Sequence, residues 1–182
     1  MEADAGSNLQ KEIGAMKKTF FHIAGICVLA GALAFINHHI FSLAIVNGDS
    51  MYPTLKEGNI IAVDRVHRIP ERGDIVLIRV PPAEFGAEYY VKRVVGIGGE
   101  NIRIDYNGNL VYINGKPLVE PYLNRTQGDP MLPPRWESKK SYDVPAGTVF
   151  VMGDNRNYSS DSRDPLLGFV NMEDIVGVAV GK

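Results

Sequence analysis

The hydrophobic positions fall into two regimes. From Phe20 to Ile36 (FFHIAGICVLAGALAFI) every residue except His22 is apolar, without the polar stripe of a helix packed on a soluble core. As a helix rising 1.5 Å per residue this run covers about 25 Å, slightly less than a hydrocarbon core near 30 Å. Asn37, His38 and His39 interrupt it, and Ile40 to Val46 is apolar again. The pattern predicts a membrane-spanning helix with an interfacial continuation. Ala32-Leu33-Ala34 also has the small-x-small form of a signal-peptide cleavage site. The anchor is the preferred reading, because the rest of the chain points to work at a membrane.

From Asn47 onward the helical period disappears. Short β-type runs bounded by Gly, Pro, Asn and Asp take over at Asn59–Asp64, Asp74–Val80, Tyr89–Ile97, Thr148–Met152 and Asp174–Val180. Arg103 to Lys116 carries Asn107-Gly108 and Asn114-Gly115, pairs that supply the positive φ angles of type I′ turns and so predict consecutive hairpins. Alternation at Ile102, Ile104 and Tyr106 gives that region one buried face. Pro121, Pro130, Pro133 and Pro134 make Glu120 to Ser141 an extended loop. The expected fold is mainly β, an antiparallel body preceded by one N-terminal transmembrane helix. The chain divides into a tail (1–18), an anchor (19–39) and a β domain (40–182), with a smaller β/loop insertion at 101–145.

Composition narrows the function. The 182 residues are 45% hydrophobic and 22% charged, a globular balance, and the net charge of −2 provides no field for nucleic acid. Lys11, Lys17 and Lys18 precede the apolar run, and no Lys or Arg follows until Lys56. This asymmetry predicts a cytoplasmic N-terminus and an extracytoplasmic body. Cys27 is the only cysteine, so no intramolecular disulfide is possible, and an apolar helix is a poor setting for thiol catalysis.

Three polar segments stand out against the β framework. In Gly48–Leu55, Gly48 and Pro53 frame a tight turn that can present the Ser50 hydroxyl and its N–H. By itself this is more often an ordinary turn serine. In Tyr90–Gly96, strand parity places Tyr90, Lys92 and Val94 on one face and Val91, Arg93 and Val95 on the other. If one face is core, one of the adjacent cations lies among apolar groups, where burial lowers a lysine pKa. A lysine base at neutral pH requires a pKa about three units below 10.4, about 4 kcal/mol of differential desolvation. A lone strand lysine more often packs its stem and wets its head. The third segment, Gly153–Asp164, is dense in Asp, Asn, Ser and Arg. It can orient a neutral amine and pair its own carboxylates with Arg156 and Arg163.

Other chemistries fit less well. His67 is the only histidine in the β body and sits in a charged stretch, Asp64–Arg68, so a Ser-His-Asp triad is disfavoured. His22, His38 and His39 lack a matching ligand cluster for zinc. The polar loop lacks the spacing of a calcium EF-hand. Neither a metal nor a cofactor is expected.

Taken in order, GDSMYPTL, YYVKRVVG and GDNRNYSSDSR, with Arg72-Gly73-Asp74-Ile75-Val76 between the first two, resemble the type I signal peptidases. The resemblance runs over nearly the whole chain from Phe20. It implies a Ser–Lys membrane serine peptidase, with Ser50 as nucleophile and Lys92 as general base. It implies that Ser159 hydrogen-bonds the lysine amine, that Asp154, Asp161 and Arg163 hold the site together, and that Ser162 belongs to the same block. Met51, Tyr89, Tyr90 and Val91 are the candidate substrate-binding residues, on edges that pair with an extended peptide. The implied partners are secretory preproteins with small residues at the first and third positions before the cut, together with membrane lipid.

Two departures from the family pattern matter. Gly48 stands where some members have a serine that donates to the oxyanion, which leaves the Ser50 N–H as the specified donor. Asp164-Pro165-Leu166-Leu167 precedes Gly168-Phe169 where the shortest family pattern has no such insertion. The alternatives are a related Ser–Lys processing or self-cleaving peptidase, and a non-catalytic membrane-tethered β binding module.

Overall fold

The computed structural model describes residues 2–66, 69–81, 86, 88–123, 130–134 and 139–181, without the side chains of 2–13, 15 and 37–39. His67 and parts of the Pro-rich stretch, 124–129 and 135–138, lie outside the described residues. The chain forms two compact units, residues 1–40 and 41–182.

The first unit is one helix, α1 (Glu2–His39). Within it, Met16–Ile36 is 21 residues of mean hydropathy 2.2 with none of its most apolar window buried. At 1.5 Å per residue this spans about 32 Å, long enough to cross a bilayer core. Leu, Ala and Ile keep the segment helical, and its large apolar side chains, Phe20, Phe21, Ile26, Val28 and Leu29 among them, are exposed. After the helix the apolar run continues as a β-strand, β1 (Phe41–Ile45), whose alternate residues Phe41, Leu43 and Ile45 are exposed. Period-2 burial, not hydrophobicity alone, decides that element.

In the second unit, β2 (Ile60–Asp64), β3 (Ile75–Arg79), β4 (Tyr89–Ile97), β9 (Thr148–Met152) and β11 (Ile175–Val180) lie within a residue of the runs read from the sequence. The others are β5 (Asn101–Asp105), β6 (Leu110–Ile113), β7 (Lys116–Pro117), β8 (Ser141–Asp143) and β10 (Val170–Asn171). A seven-stranded antiparallel sheet has the order β1-β2-β11-β3-β4-β9-β10, and a four-stranded one the order β7-β6-β5-β8. Ile102, Ile104 and Tyr106 are buried against Val95, Phe150 and Met152, so the small sheet shares a core with the large one.

Only one Asn-Gly pair makes the expected turn. Asn114 (φ 49°) and Gly115 (φ 80°) both take left-handed angles between β6 and β7. Between β5 and β6 the turn is four residues long, and the positive φ falls on Asn109 (54°) rather than on Asn107-Gly108. The Asp105 carboxylate accepts the Gly108 N–H at 3.0 Å, an Asx interaction that selects the longer turn.

Candidate active site

Ser50 lies in the loop between β1 and β2. The loop is closed at its base by Val46 N–H donating to Asn59 O (2.8 Å) and Gly58 N–H to Val46 O (2.8 Å). Gly48 turns the chain at φ 81°, and Tyr52 N–H donates to Asp49 O at 3.0 Å. Met51, 1% exposed, anchors the turn to the body, which leaves the smaller, polar Ser50 half-buried at the surface. Among the described residues the Ser50 N–H makes no hydrogen bond.

β4 brings Lys92 to this turn. Its Nζ donates to Ser50 Oγ at 2.8 Å and to Val91 O at 3.1 Å, and lies 4.7 Å from the centre of the Tyr90 ring. The residue is only 3% exposed, with no carboxylate in ion-pair reach among the described residues. Burial draws its pKa down to about 8, although the charge of Asp161 opposes the shift. About one Lys92 in ten is then neutral at pH 7, against fewer than one in a thousand for a solvated lysine.

The polar loop after β9 forms the far wall. Gly153 is obligatory there, because a Cβ would strike Ser159 Oγ and the Ser50 carbonyl. Asn155 N–H donates to Ser50 O at 3.0 Å and its side-chain amide to Asp49 O at 3.1 Å, so the loop holds the Ser50 turn directly. Ser162 and Val151 exchange two bonds, Ser162 N–H to Val151 O (3.0 Å) and Val151 N–H to Ser162 Oγ (2.9 Å). Asp161 accepts from Gly153 N–H (3.0 Å), and from Arg163 Nε (2.8 Å) and Nη2 (2.9 Å). Burial alone would raise the Asp161 pKa, but the Arg163 guanidinium outweighs it and holds the carboxyl below its ordinary range.

Ser159 does not make the expected bond to the lysine amine. Its Oγ is buried without a hydrogen-bond partner of good geometry, although it is near enough to Asp161 to help lower that pKa. The expected pairing of the loop's carboxylates is half realised. Arg163 holds Asp161, but Asp154 pairs outside the loop, with Arg93 Nε (2.7 Å) and Nη2 (2.6 Å), and accepts the Thr54 hydroxyl. Arg156 reaches out to Glu120. Sequence reasoning missed Arg93, Thr54 and Glu120. Strand parity did place Arg93 opposite Lys92, and a buried arginine on a second covered face needs a carboxylate.

A cleft of about 920 Å³ opens over Ser50 and Lys92. Met51, Tyr89, Tyr90 and Val91 all line it, facing β1 residues across the opening. β3 covers β4 from Tyr89 to Arg93, whereas β9 pairs only from Arg93 onward, so the second backbone edge of Tyr89–Lys92 is unpaired by strand.

The site is thus a buried lysine hydrogen-bonded to a turn serine beside an open strand edge. Residues 17–181 match the family described as signal peptidase, peptidase S26. The chain belongs to that signal peptidase family. It is 36% identical over 185 residues to signal peptidase I T of Bacillus subtilis, covering 98% of this chain and 93% of the relative. It is 37% identical over 180 residues to a signal peptidase I of Bacillus caldolyticus, covering 92% and 90%. A crystal structure of an Enterococcus faecalis signal peptidase I aligns at 30% identity and a TM-score of 0.45, over 60% of this chain and 95% of the other. Membership in the signal peptidase family makes the chain a serine endopeptidase with a mainly β body.

Proposed function

We propose that Ser50 is the nucleophile and neutral Lys92 the general base of an endopeptidase that removes signal peptides from secreted preproteins after small-x-small motifs. The observation that carries this reading is the 2.8 Å bond between Lys92 Nζ and Ser50 Oγ, made by a lysine dried to 3% exposure. Ser50 Oγ attacks the scissile carbonyl as its proton passes to Lys92 Nζ. The resulting ammonium gives a proton to the leaving amine, and a water then releases the acyl chain with Lys92 again as base. The unengaged Ser50 N–H is the backbone donor for the oxyanion.

The preprotein lies extended in the cleft. Antiparallel alternation turns the Tyr89 and Val91 backbone groups to the unpaired edge of β4, where an added strand finds partners. Met51 and Tyr90 supply side-chain walls. Asp154, Asp161, Arg163 and Ser162 hold the loop that positions Ser50, and Ser159 fills the space beside it.

α1 anchors the enzyme, with Lys11, Lys17 and Lys18 retaining the N-terminus in the cytoplasm and the body outside. Leu43, Ile45, Ile60 and Val180 are each more than half exposed on neighbouring strands, an apolar face suited to the lipid surface. Ser50→Ala and Lys92→Ala should each abolish preprotein cleavage without changing the circular dichroism of the protein. Normal processing by either variant would sink the reading.

A further inference from the structure

Glu120 belongs to no strand and lines neither the Ser50 cleft nor any part of the dyad, yet its side chain is fully buried. It accepts both Nη groups of Arg156, Nη1 at 3.2 Å, and the Tyr122 hydroxyl at 2.9 Å. The Tyr122 ring in turn lies 3.9 Å from the Arg93 guanidinium carbon. Arg93 grips Asp154 through two bonds, at 2.7 and 2.6 Å. The contacts therefore leave the catalytic loop at Asp154, pass through Arg93, Tyr122 and Glu120, and re-enter it at Arg156. The ring closes around Asn155, the residue whose N–H holds the Ser50 carbonyl. Arg156 also donates from Nε to Gly153 O at 3.2 Å and accepts Arg163 Nη2 on its own carbonyl at 2.5 Å.

Stability is a poor explanation for this ring. Removing two charges from water costs about as much as their attraction returns, and a buried ion pair is often replaced by apolar residues without loss. Bidentate arginine–carboxylate pairing does supply fixed geometry. Burial first, and then the Glu120 charge, push the Tyr122 phenol upward, so its hydroxyl remains a donor across the working range.

We propose that Glu120 and Tyr122 are positioning residues for Ser50 and Lys92, acting through Arg156 and Arg93. The proposal rests on the reading of that pair as nucleophile and base. Neither residue reaches the substrate groove, so the effect should fall on kcat and not on KM.

The test uses the full chain in detergent with a signal-peptide substrate. Glu120→Met/Arg156→Met removes both charges together and should leave the thermal midpoint at or above that of the parent. Its kcat should fall about tenfold or more, with KM within about threefold. Tyr122→Phe removes one hydroxyl but keeps the ring on Arg93, and should lose about threefold in kcat. Tyr122→Leu, which removes the ring, should lose about tenfold. A stable double variant with parental kcat overturns the proposal, as does a Tyr122 pair that loses activity only in proportion to its unfolded fraction. If the double variant does not fold, Tyr122→Phe decides, with parental kcat counting against the proposal. Ser50→Ala and Lys92→Ala run alongside: activity retained by those variants breaks the nucleophile–base reading and not the ring.

Discussion

On one face of β4, Lys92 is buried with a hydroxyl, a carbonyl and an aromatic ring as its neighbours. On the other face, Arg93 is buried to 6% exposure with Asp154, the Gly73 carbonyl and the Tyr122 ring around its guanidinium. The two cations are adjacent in sequence and equally dry, and the protein resolves them in opposite ways. Arginine cannot release its proton, so its burial requires a carboxylate. Lysine can, so burial without an ion pair converts it to a base. Both side chains are deep, and what separates the fixed cation from the titratable amine on this strand is a carboxylate at ion-pair distance.

The contrast breaks most visibly at Lys92→Arg. A permanent cation at this position should reduce preprotein cleavage by about 10³-fold or more, measured as initial rate on a signal-peptide substrate. An arginine variant with appreciable activity would mean that a neutral amine is not required. Next in size is Arg93→Met, which leaves Asp154 as an uncompensated buried anion and should cost about 3–5 kcal/mol in denaturant unfolding. Arg93→Met/Asp154→Leu should recover most of that loss, because the pair leaves together.

Lys92→Met should move stability the other way. The folded pKa near 8 lies below the unfolded value of 10.5, so between these pH values the unfolded chain carries the extra proton. Stability of the parent therefore rises with pH across that window, and below pH 8 the buried lysine is a penalty. Lys92→Met removes it and should gain about 1–3 kcal/mol at pH 7, with the gain disappearing above pH 10. The parent's kcat/KM should rise about tenfold per pH unit up to about 8 and then level. A limb near 10 would show a wet lysine.

Much of the scaffold could be read from the chain because period-2 alternation and Gly, Pro, Asn and Asp punctuation act locally. β4 and β9 fall on their sequence-derived bounds, and strand parity separated Lys92 from Arg93 before any contact was visible. β1 was not legible. Ile40–Val46 is apolar except for Ser42, and only pairing with β2 shows that half of it faces outward. The site was legible as three motifs but not as a network. Asp154 meets Arg93 across 61 residues and Glu120 meets Arg156 across 36, separations that no local pattern encodes. Ser159 shows the limit of carrying a role over by resemblance, since the residue is in place while its bond to Lys92 is not made.

The smallest effect concerns Gly48, where a glycine stands in place of a possible oxyanion donor. Its φ of 81° is strained for any residue with a Cβ, and a Cβ built there has no atom within 4 Å. A side chain at this position would therefore suffer backbone strain without a clash. Gly48→Ala and Gly48→Ser should each lose about 1–2 kcal/mol in thermal unfolding. Their cleavage rates should agree within about twofold if the Ser50 N–H is the sufficient oxyanion donor. A Gly48→Ser enzyme about tenfold faster than Gly48→Ala would show that position 48 can supply a second donor, and that the Ser50 N–H is not sufficient.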